Sequence, residues 1–153
     1  MGVEKKLGRI ITLLGRKSQL YIGAALKKYN ITAAEQPFFT AMQFHKGCTQ
    51  EELTALVCVD KATTARALKS LEEKGFVHRV QDTRDRRQNR IYPTPAANQL
   101  VKSVVEELLR FDRILTEDIE PERLKLVYDT LQKMDENISG VKTQEGGCDN
   151  EKD

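Results

Sequence analysis

The densest group of side chains able to do chemistry lies between residues 81 and 94, which read QDTRDRRQNRIYPT. Four of these residues are arginines within seven positions, namely Arg84, Arg86, Arg87 and Arg90. A guanidinium is a rigid fork of N–H donors that matches the oxygens of phosphates. At Asp85-x-Arg87, the carboxylate can brace the arginine and hold its fork in one rotamer. The segment is therefore predicted to bind phosphates, and the alternative is a solvated charged loop.

The residues around this segment predict a β-hairpin that places the arginines at its tip. FVHRV (76–80) and RIY (90–92) favour strands. Before them, residues 61 to 74 are predicted to form a helix, with Asp60 as its N-cap and Gly75 as its C-terminal glycine. The basic segment is then a wing that directly follows a helix.

That helix is the second of a predicted helix-turn-helix. Thr49 and Glu52 form a Thr-x-x-Glu capping box that opens a short helix, and Cys58-Val59 makes the turn. The two helices are expected to pack through apolar side chains, namely Leu53, Leu56, Val59, Leu68 and Leu71. A hairpin directly after such a pair gives a winged helix-turn-helix.

The second helix carries residue types that suit the major groove of double-stranded DNA. Thr64, Leu68 and Leu71 share the inward face, so the other face is left for a partner. Arg66 can fork onto a guanine edge, and Thr63 can bond a base or a phosphate. The candidate DNA contacts of this helix and its cap are Asp60, Lys61, Ala62, Thr63, Thr64, Arg66, Lys69 and Ser70. Those of the wing are Arg84, Asp85, Arg86, Arg87 and Arg90. The alternative is a helical scaffold or partner-binding protein with a solvated basic loop.

Helices are also predicted on both sides of this unit. Apolar residues at helical spacing predict a first helix over roughly 3 to 29, ended by Asn30. Thr32 and Glu35 form another capping box, for a helix that runs to about His45. Thr94-Pro95 starts a long helix that reaches about residue 118, a last helix covers 122 to about 138, and residues 140 to 153 are expected to be a disordered tail. The predicted fold is mainly α with a small β-hairpin wing.

Charge is unevenly distributed although the net charge is only +2. Residues 1 to 47 carry eight Lys/Arg against two Glu, and residues 76 to 92 carry five Arg against two Asp. Residues 93 to 153 carry eight Lys/Arg against fourteen Asp/Glu. Segregation of this kind indicates a polyanionic partner at one surface.

Other classes of protein are disfavoured by what the sequence lacks. It has no phosphate loop, no His-Glu-x-x-His and no glycine-rich dinucleotide turn, so we expect neither an enzyme nor a cofactor. No apolar run approaches a membrane span and no signal peptide is evident, which predicts a cytoplasmic protein. The cysteines, Cys48, Cys58 and Cys148, fit no disulfide or zinc framework, and no metal site is expected. Cys58 is expected to be buried and Cys48 to be more exposed.

Residues 71 to 97, LEEKGFVHRVQDTRDRRQNRIYPTPAA, resemble the MarR family, the multiple-antibiotic-resistance type of winged-helix regulators. That family has a Leu-x-x-Lys-Gly turn, a strand that ends near an arginine, and a wing of the form Asp-x-Arg-Asp-x-Arg. The matching residues here are Leu71, Lys74, Gly75, Arg79, Asp82, Arg84, Asp85, Arg87 and Thr94. Pro93 replaces the family's usual leucine, and Ala65 replaces a threonine that is common in its recognition helix.

The resemblance implies a homodimer joined by its N- and C-terminal helices, and a repressor that acts on an inverted-repeat operator. Residues 1–30 and 95–139 would then be the helical dimerisation region, and residues 31–94 the winged helix-turn-helix. The long helix carries more apolar side chains than one buried face requires, among them Val105, Leu109 and Ile114. This excess agrees with a dimerisation region.

The resemblance also implies a small aromatic or anionic effector that binds where the dimerisation helices meet the winged unit. Residues that could contribute are Lys17, Tyr21, Phe39, Phe44 and His45. Lys17 and Tyr21 share one helix face and could meet an anionic aromatic ligand together. The alternative is that the aromatic residues belong to the core and the lysine is solvated. Peroxide-sensing members carry a reactive cysteine in the first helix, which this sequence lacks.

Overall fold

Six α-helices and one hairpin make up residues 6–141, the part of the chain that the computed structural model describes. In chain order these elements are α1 (Leu7–Leu26), a 3-10 helix (Lys27–Tyr29), α2 (Gln36–Phe44), α3 (Gln50–Val57), α4 (Lys61–Glu73), β1 (Val77–Gln81), β2 (Asn89–Pro93), α5 (Pro95–Leu115) and α6 (Pro121–Ser139). The predicted fold class and element order are confirmed. The described residues end at Val141, so the rest of the tail predicted from residue 140, including Cys148, lies outside them.

The predicted caps form as hydrogen-bonded structures. Thr49 and Glu52 make the reciprocal bonds of a capping box at the start of α3, with N–O distances of 2.7 and 3.1 Å. The Asp60 carboxylate accepts the backbone N–H of Thr63 at 2.7 Å and caps α4. Gly75 follows α4 with φ of +78°, a left-handed backbone conformation that glycine adopts at no steric cost.

Two helix boundaries differ from the predicted ones. Thr32 and Glu35 do exchange capping-box bonds, but residues 33–35 form a turn and α2 begins at Gln36. The long helix α5 ends at Leu115, not near residue 118. Asp118, in the connection between α5 and α6, adopts the left-handed conformation with φ of +57°.

The hairpin is antiparallel, with Val77 opposite Pro93 and Gln81 opposite Asn89. A single bridge between Cys48 and Ile91 joins the segment before α3 to β2. The N–H of Gly47 also donates to the Ile91 carbonyl at 2.9 Å. The base of the wing is thus fixed to the helix-turn-helix by backbone bonds.

The core lies between α2, the helix-turn-helix, the hairpin and the first half of α5. Its largest fully buried side chains include Phe38, Phe39, Met42, Leu53, Leu68, Leu71, Ile91 and Val104. The rings of Phe39 and Phe76 meet edge to face, with centroids 5.8 Å apart. Aromatic and aliphatic packing of this kind fixes α2 across the back of the helix-turn-helix.

Three predictions of burial were wrong. Leu56 is 50% exposed because α3 packs inward through Leu53 and Val57, which lie one turn apart. Cys48 is buried by its bridge to β2, and this burial raises the pKa of its thiol. Cys58 is the exposed C-cap of α3, with φ of +57°.

The outer helices keep large apolar surfaces exposed. Among the described residues, α6 buries no side chain, and its Leu126, Val127, Tyr128 and Leu131 are between 48% and 67% exposed. In α1, Leu7, Ile10, Ile11 and Leu14 are between 44% and 52% exposed. None of the helices within residues 6–141 combines the length and apolar character needed to cross a membrane.

Candidate nucleic-acid interface

Thr64 holds α4 against α3 and does not reach the exposed face of α4. Its side chain is fully buried, and its hydroxyl accepts a hydrogen bond from Thr54 at 2.9 Å and donates to the Asp60 carbonyl at 3.1 Å. Its place among the predicted DNA contacts is therefore corrected. Its predicted inward direction agrees with the structure.

The exposed face of α4 presents an oriented arginine. Nη2 of Arg66 donates to Oγ1 of Thr63 at 3.1 Å, and that hydroxyl donates to the Asp60 carboxylate at 2.8 Å. The backbone N–H of Thr63, and then its hydroxyl, lower the pKa of Asp60, so this carboxylate stays charged. Arg66 has further N–H donors that Thr63 does not use, and these are available to a base edge or a phosphate. Lys61, Ala62, Ala65 and Lys69 are exposed on the same helix.

Ser70 differs from the prediction because it faces another helix. It is half-buried, and its hydroxyl donates to Oε1 of Glu35, the N-cap residue of α2. Its hydroxyl hydrogen is thus committed within the fold. The remaining candidates on α4 and its cap are Asp60, Lys61, Ala62, Thr63, Arg66 and Lys69.

The wing separates its arginines into two groups. Arg84, Arg86 and Arg87 are exposed, and their guanidinium groups make no hydrogen bond or salt bridge to the described part of the chain. Arg90 is engaged at the base of the wing, where it donates to the Asp82 carboxylate at 2.7 Å and to the Gly47 carbonyl at 3.2 Å. Arg90 thus anchors the base of the wing, while its predicted contact to a phosphate stays a prediction.

The predicted bracing of Arg87 by Asp85 is wrong. The Asp85 carboxylate accepts the backbone N–H of Arg87 at 3.0 Å and so closes the turn at the tip. A carboxylate does brace an arginine in this wing, but the pair is Asp82 and Arg90.

Asp82, which was matched to the family motif but given no role of its own, is a structural residue of the wing. It is 8% exposed, and its Oδ1 accepts the Arg84 N–H at 2.8 Å. That N–H, and then the Arg90 guanidinium, lower the pKa of Asp82. The signal was present in Asp82-Thr-Arg84, because aspartate often bonds the backbone N–H two residues further on.

Arg79 is a second residue that was matched to the family motif without a predicted role. It lies half-buried on β1 and donates to Gln50 of α3 at 3.1 Å and to Glu72 of α4 at 3.3 Å. It thus joins the wing to both helices of the helix-turn-helix. A polar cavity of about 230 Å³ lies beside it, between the start of α3 and the wing, and Arg87 is among the residues that line it.

The residues predicted for an effector do not share one cavity. Phe39 is fully buried in the core, and Phe44 is 73% exposed. Tyr21 packs on Phe111 at 5.2 Å and lines a cavity of about 300 Å³ with Lys28, Glu107 and Arg110. His45 lines a separate cavity of about 480 Å³ beside Cys48 and Leu56, while Lys17 is exposed.

A capped helix pair with a polar, arginine-bearing outer face, followed by a hairpin with unpaired arginines, defines a winged helix-turn-helix protein. The model of the MarR family matches residues 43–88, which run from the end of α2 to the wing tip. An HTH-type transcriptional regulator, YybA of Bacillus subtilis (strain 168), is 27% identical over 86 residues, which are 56% of this chain and 57% of that protein.

Solved structures extend the likeness over nearly the whole chain. A MarR transcriptional regulator from Methanosarcina mazei Go1 is 30% identical, with a TM-score of 0.79 over 86% of this chain and 94% of that one. A MarR family regulator from Listeria monocytogenes, crystallised with a 26mer DNA, has the same fold, with a TM-score of 0.83 at 22% identity over 92% of this chain and 99% of that one. The chain belongs to the MarR family of transcriptional regulators.

Proposed function

We propose that this protein is a homodimeric transcriptional regulator that binds a specific site in double-stranded DNA. The observation that carries the proposal is the pre-oriented Arg66 on the exposed face of α4. Arg66 donates to Thr63, and Thr63 donates to Asp60, so the arginine side chain is already restricted to few rotamers. It therefore loses less conformational entropy when it binds DNA. An ordered fork of this kind can distinguish a guanine edge from other bases.

The wing supplies the part of the affinity that does not depend on sequence. Arg84, Arg86 and Arg87 are free to contact phosphates, and Asp82 with Arg90 keeps the base of the wing ordered beneath them. Each phosphate that a cation neutralises releases counterions, so binding should weaken steeply with salt. The DNA present in the related Listeria crystal supports this role for the fold.

Residues 1–30 and 95–139 are proposed to form the dimerisation region. Exposed leucine, isoleucine and valine side chains on α1 and α6 are too numerous for a surface left in water. Leu7 lines an apolar cavity of about 250 Å³ with four apolar residues of α6, Leu126, Val127, Leu131 and Met134. A second copy would cover these side chains and place two α4 helices on one inverted repeat.

The dimer is proposed to act as a repressor, since a bound dimer occludes a promoter. A small aromatic or anionic effector would change the distance between the two α4 helices and so weaken both contacts together. Of the predicted effector residues, Tyr21 keeps support, because its cavity holds two cations, Lys28 and Arg110, against the one carboxylate of Glu107, which pairs with Lys28.

The experiment is a selection of bound fragments from a random pool of duplex DNA at near-physiological salt. An enriched inverted repeat is the expected result. Weak binding without enrichment that vanishes as salt is added would overturn the proposal and favour a scaffold protein with a solvated wing. Titrating candidate aromatic acids against the selected duplex then tests the effector.

A further inference from the structure

Glu35 is a buried carboxylate at which three segments of the chain meet. Its side chain is 4% exposed. It accepts hydrogen bonds from the backbone N–H of Thr32 at 2.9 Å, from the Ser70 hydroxyl, and from the Lys74 ammonium at 2.7 and 2.9 Å. Ser70 lies on α4 and Lys74 is its C-cap residue, so the charge of Glu35 is satisfied largely by α4.

Lys74 also connects α4 to the end of the N-terminal helical stretch. Its ammonium also donates to the carbonyl of Asn30 at 2.9 Å. Asn30 is the left-handed residue that ends the helical stretch formed by α1 and the 3-10 helix. The last turn of α4 is thus tied both to α2 and to the end of the N-terminal helix.

A buried ion pair of this kind costs desolvation energy, and a well-packed apolar pair of similar volume would often be at least as stable. Hydrogen bonds are directional, so this ion pair favours one orientation of α4 relative to α2. Apolar contacts between the same helices would restrict that orientation less. Burial raises the pKa of Glu35, but the bonds from Lys74 and Ser70 outweigh it and the pKa is lowered. Glu35 is therefore ionised at neutral pH.

We propose that Glu35 is a positioning residue that sets the orientation of α4 relative to the N-terminal helix through Ser70 and Lys74. The inference rests on the proposed function, in which α4 reads DNA. Glu35 touches no DNA itself. It fixes the direction from which Arg66 approaches a base, and it links that direction to the helix that would lie at the dimer interface.

The test compares Glu35→Gln with Glu107→Gln in the full chain. Glu107 of α5 pairs with Lys28 of the 3-10 helix. Its side chain is 14% exposed while that of Lys28 is 58% exposed, so it is a second largely buried carboxylate, in an ion pair that does not involve α4. Because Glu107 lines the cavity assigned to the effector, affinity is measured without effector, for the selected duplex and for a random duplex. Glu35→Gln should lower the ratio of these affinities about tenfold, the equivalent of one base contact, while Glu107→Gln leaves the ratio unchanged. Ser70→Ala should lower the ratio in the same direction by less.

Hydrogen exchange of the same variants provides a readout without DNA. Glu35→Gln should accelerate exchange of the α4 amides more than that of α5, and Glu107→Gln should leave α4 unchanged. Equal exchange of α4 in the two variants, or an unchanged affinity ratio at a lowered melting temperature, would overturn the positioning role. If the wild type selects no duplex, the proposed function fails, and the exchange of α4 still decides whether Glu35 orients that helix.

Discussion

Nε of Arg90 lies 2.7 Å from Oδ2 of Asp82, so a charged hydrogen bond closes the base of the wing, while the guanidinium groups of Arg84, Arg86 and Arg87 have no partner among the described residues. The same Asp82 carboxylate accepts the N–H of Arg84. One side chain therefore orders both the turn into the wing and the strand that leaves it. The exposed arginines between Asp82 and Arg90 therefore project from a loop that is ordered at its base.

We predict that the Asp82 contribution to stability depends on pH in the acid range. The pKa of Asp82 is lowered in the folded state, first by the Arg84 N–H and then by Arg90, so its contribution is complete above the ordinary aspartate pKa of about 3.9. It is lost as the pH falls through the lowered folded-state pKa. Urea unfolding of the wild type and of Asp82→Asn should therefore differ at pH 7 and converge in acid. The exposed Asp129→Asn should match the wild type at pH 7, and a constant difference for Asp82→Asn across the range contradicts the prediction.

Arg87→Ala is expected to weaken binding to all DNA sequences. The guanidinium is exposed and unpaired among the described residues, so its removal deletes a cation without disturbing the fold. The slope of log affinity against log salt should become shallower by about one. Arg123→Ala, an exposed arginine on α6, is the control and should leave the slope unchanged. Retention of the wild-type slope by Arg87→Ala would show that the wing does not contact phosphates.

Arg66→Ala is expected to act mainly on the preferred site. Loss of a forked contact to a base should cost about 1–3 kcal/mol there and much less on random duplex DNA. Glu73→Ala, an exposed change in the last turn of α4, serves as the control. Competition binding with the two duplexes measures both effects, and an equal loss on both duplexes would place Arg66 on a phosphate.

Leu131→Arg is expected to dissociate the proposed dimer. Leu131 is 48% exposed in a single chain and lies on α6, whose described side chains are all unburied. A charge at that position would have to be buried without a partner when two copies meet. Leu56→Arg is a matched control, because Leu56 is 50% exposed but lies on α3. Sedimentation of both variants gives the masses, and a Leu131→Arg protein that sediments with the mass of the wild-type dimer would move the interface elsewhere.

Much of this structure could be predicted because its signals are local. Thr49 and Glu52, Asp60 with Gly75, and Thr94-Pro95 each act on backbone groups within a few residues, so their types and spacing are sufficient to place helix ends. The strands of the wing and its arginine-rich tip follow from the same kind of local reading. The inward direction of Leu68 and Leu71 follows from helical periodicity.

The partners of the charged side chains were decided only by the tertiary structure. Arg90 is four residues from Arg86 and has the same chemistry, yet it meets Asp82 and Gly47 because the antiparallel register places it at the base of the wing. Ser70 looks like an outer residue of α4 until α2 brings Glu35 against it. The burial of Cys48 and the exposure of Leu56 likewise depend on how β2 and α3 pack. The sequence alone determined which residues form helices, turns and strands, since those choices depend on neighbours along the chain, whereas the pairing of groups far apart in sequence depends on how the helices pack together.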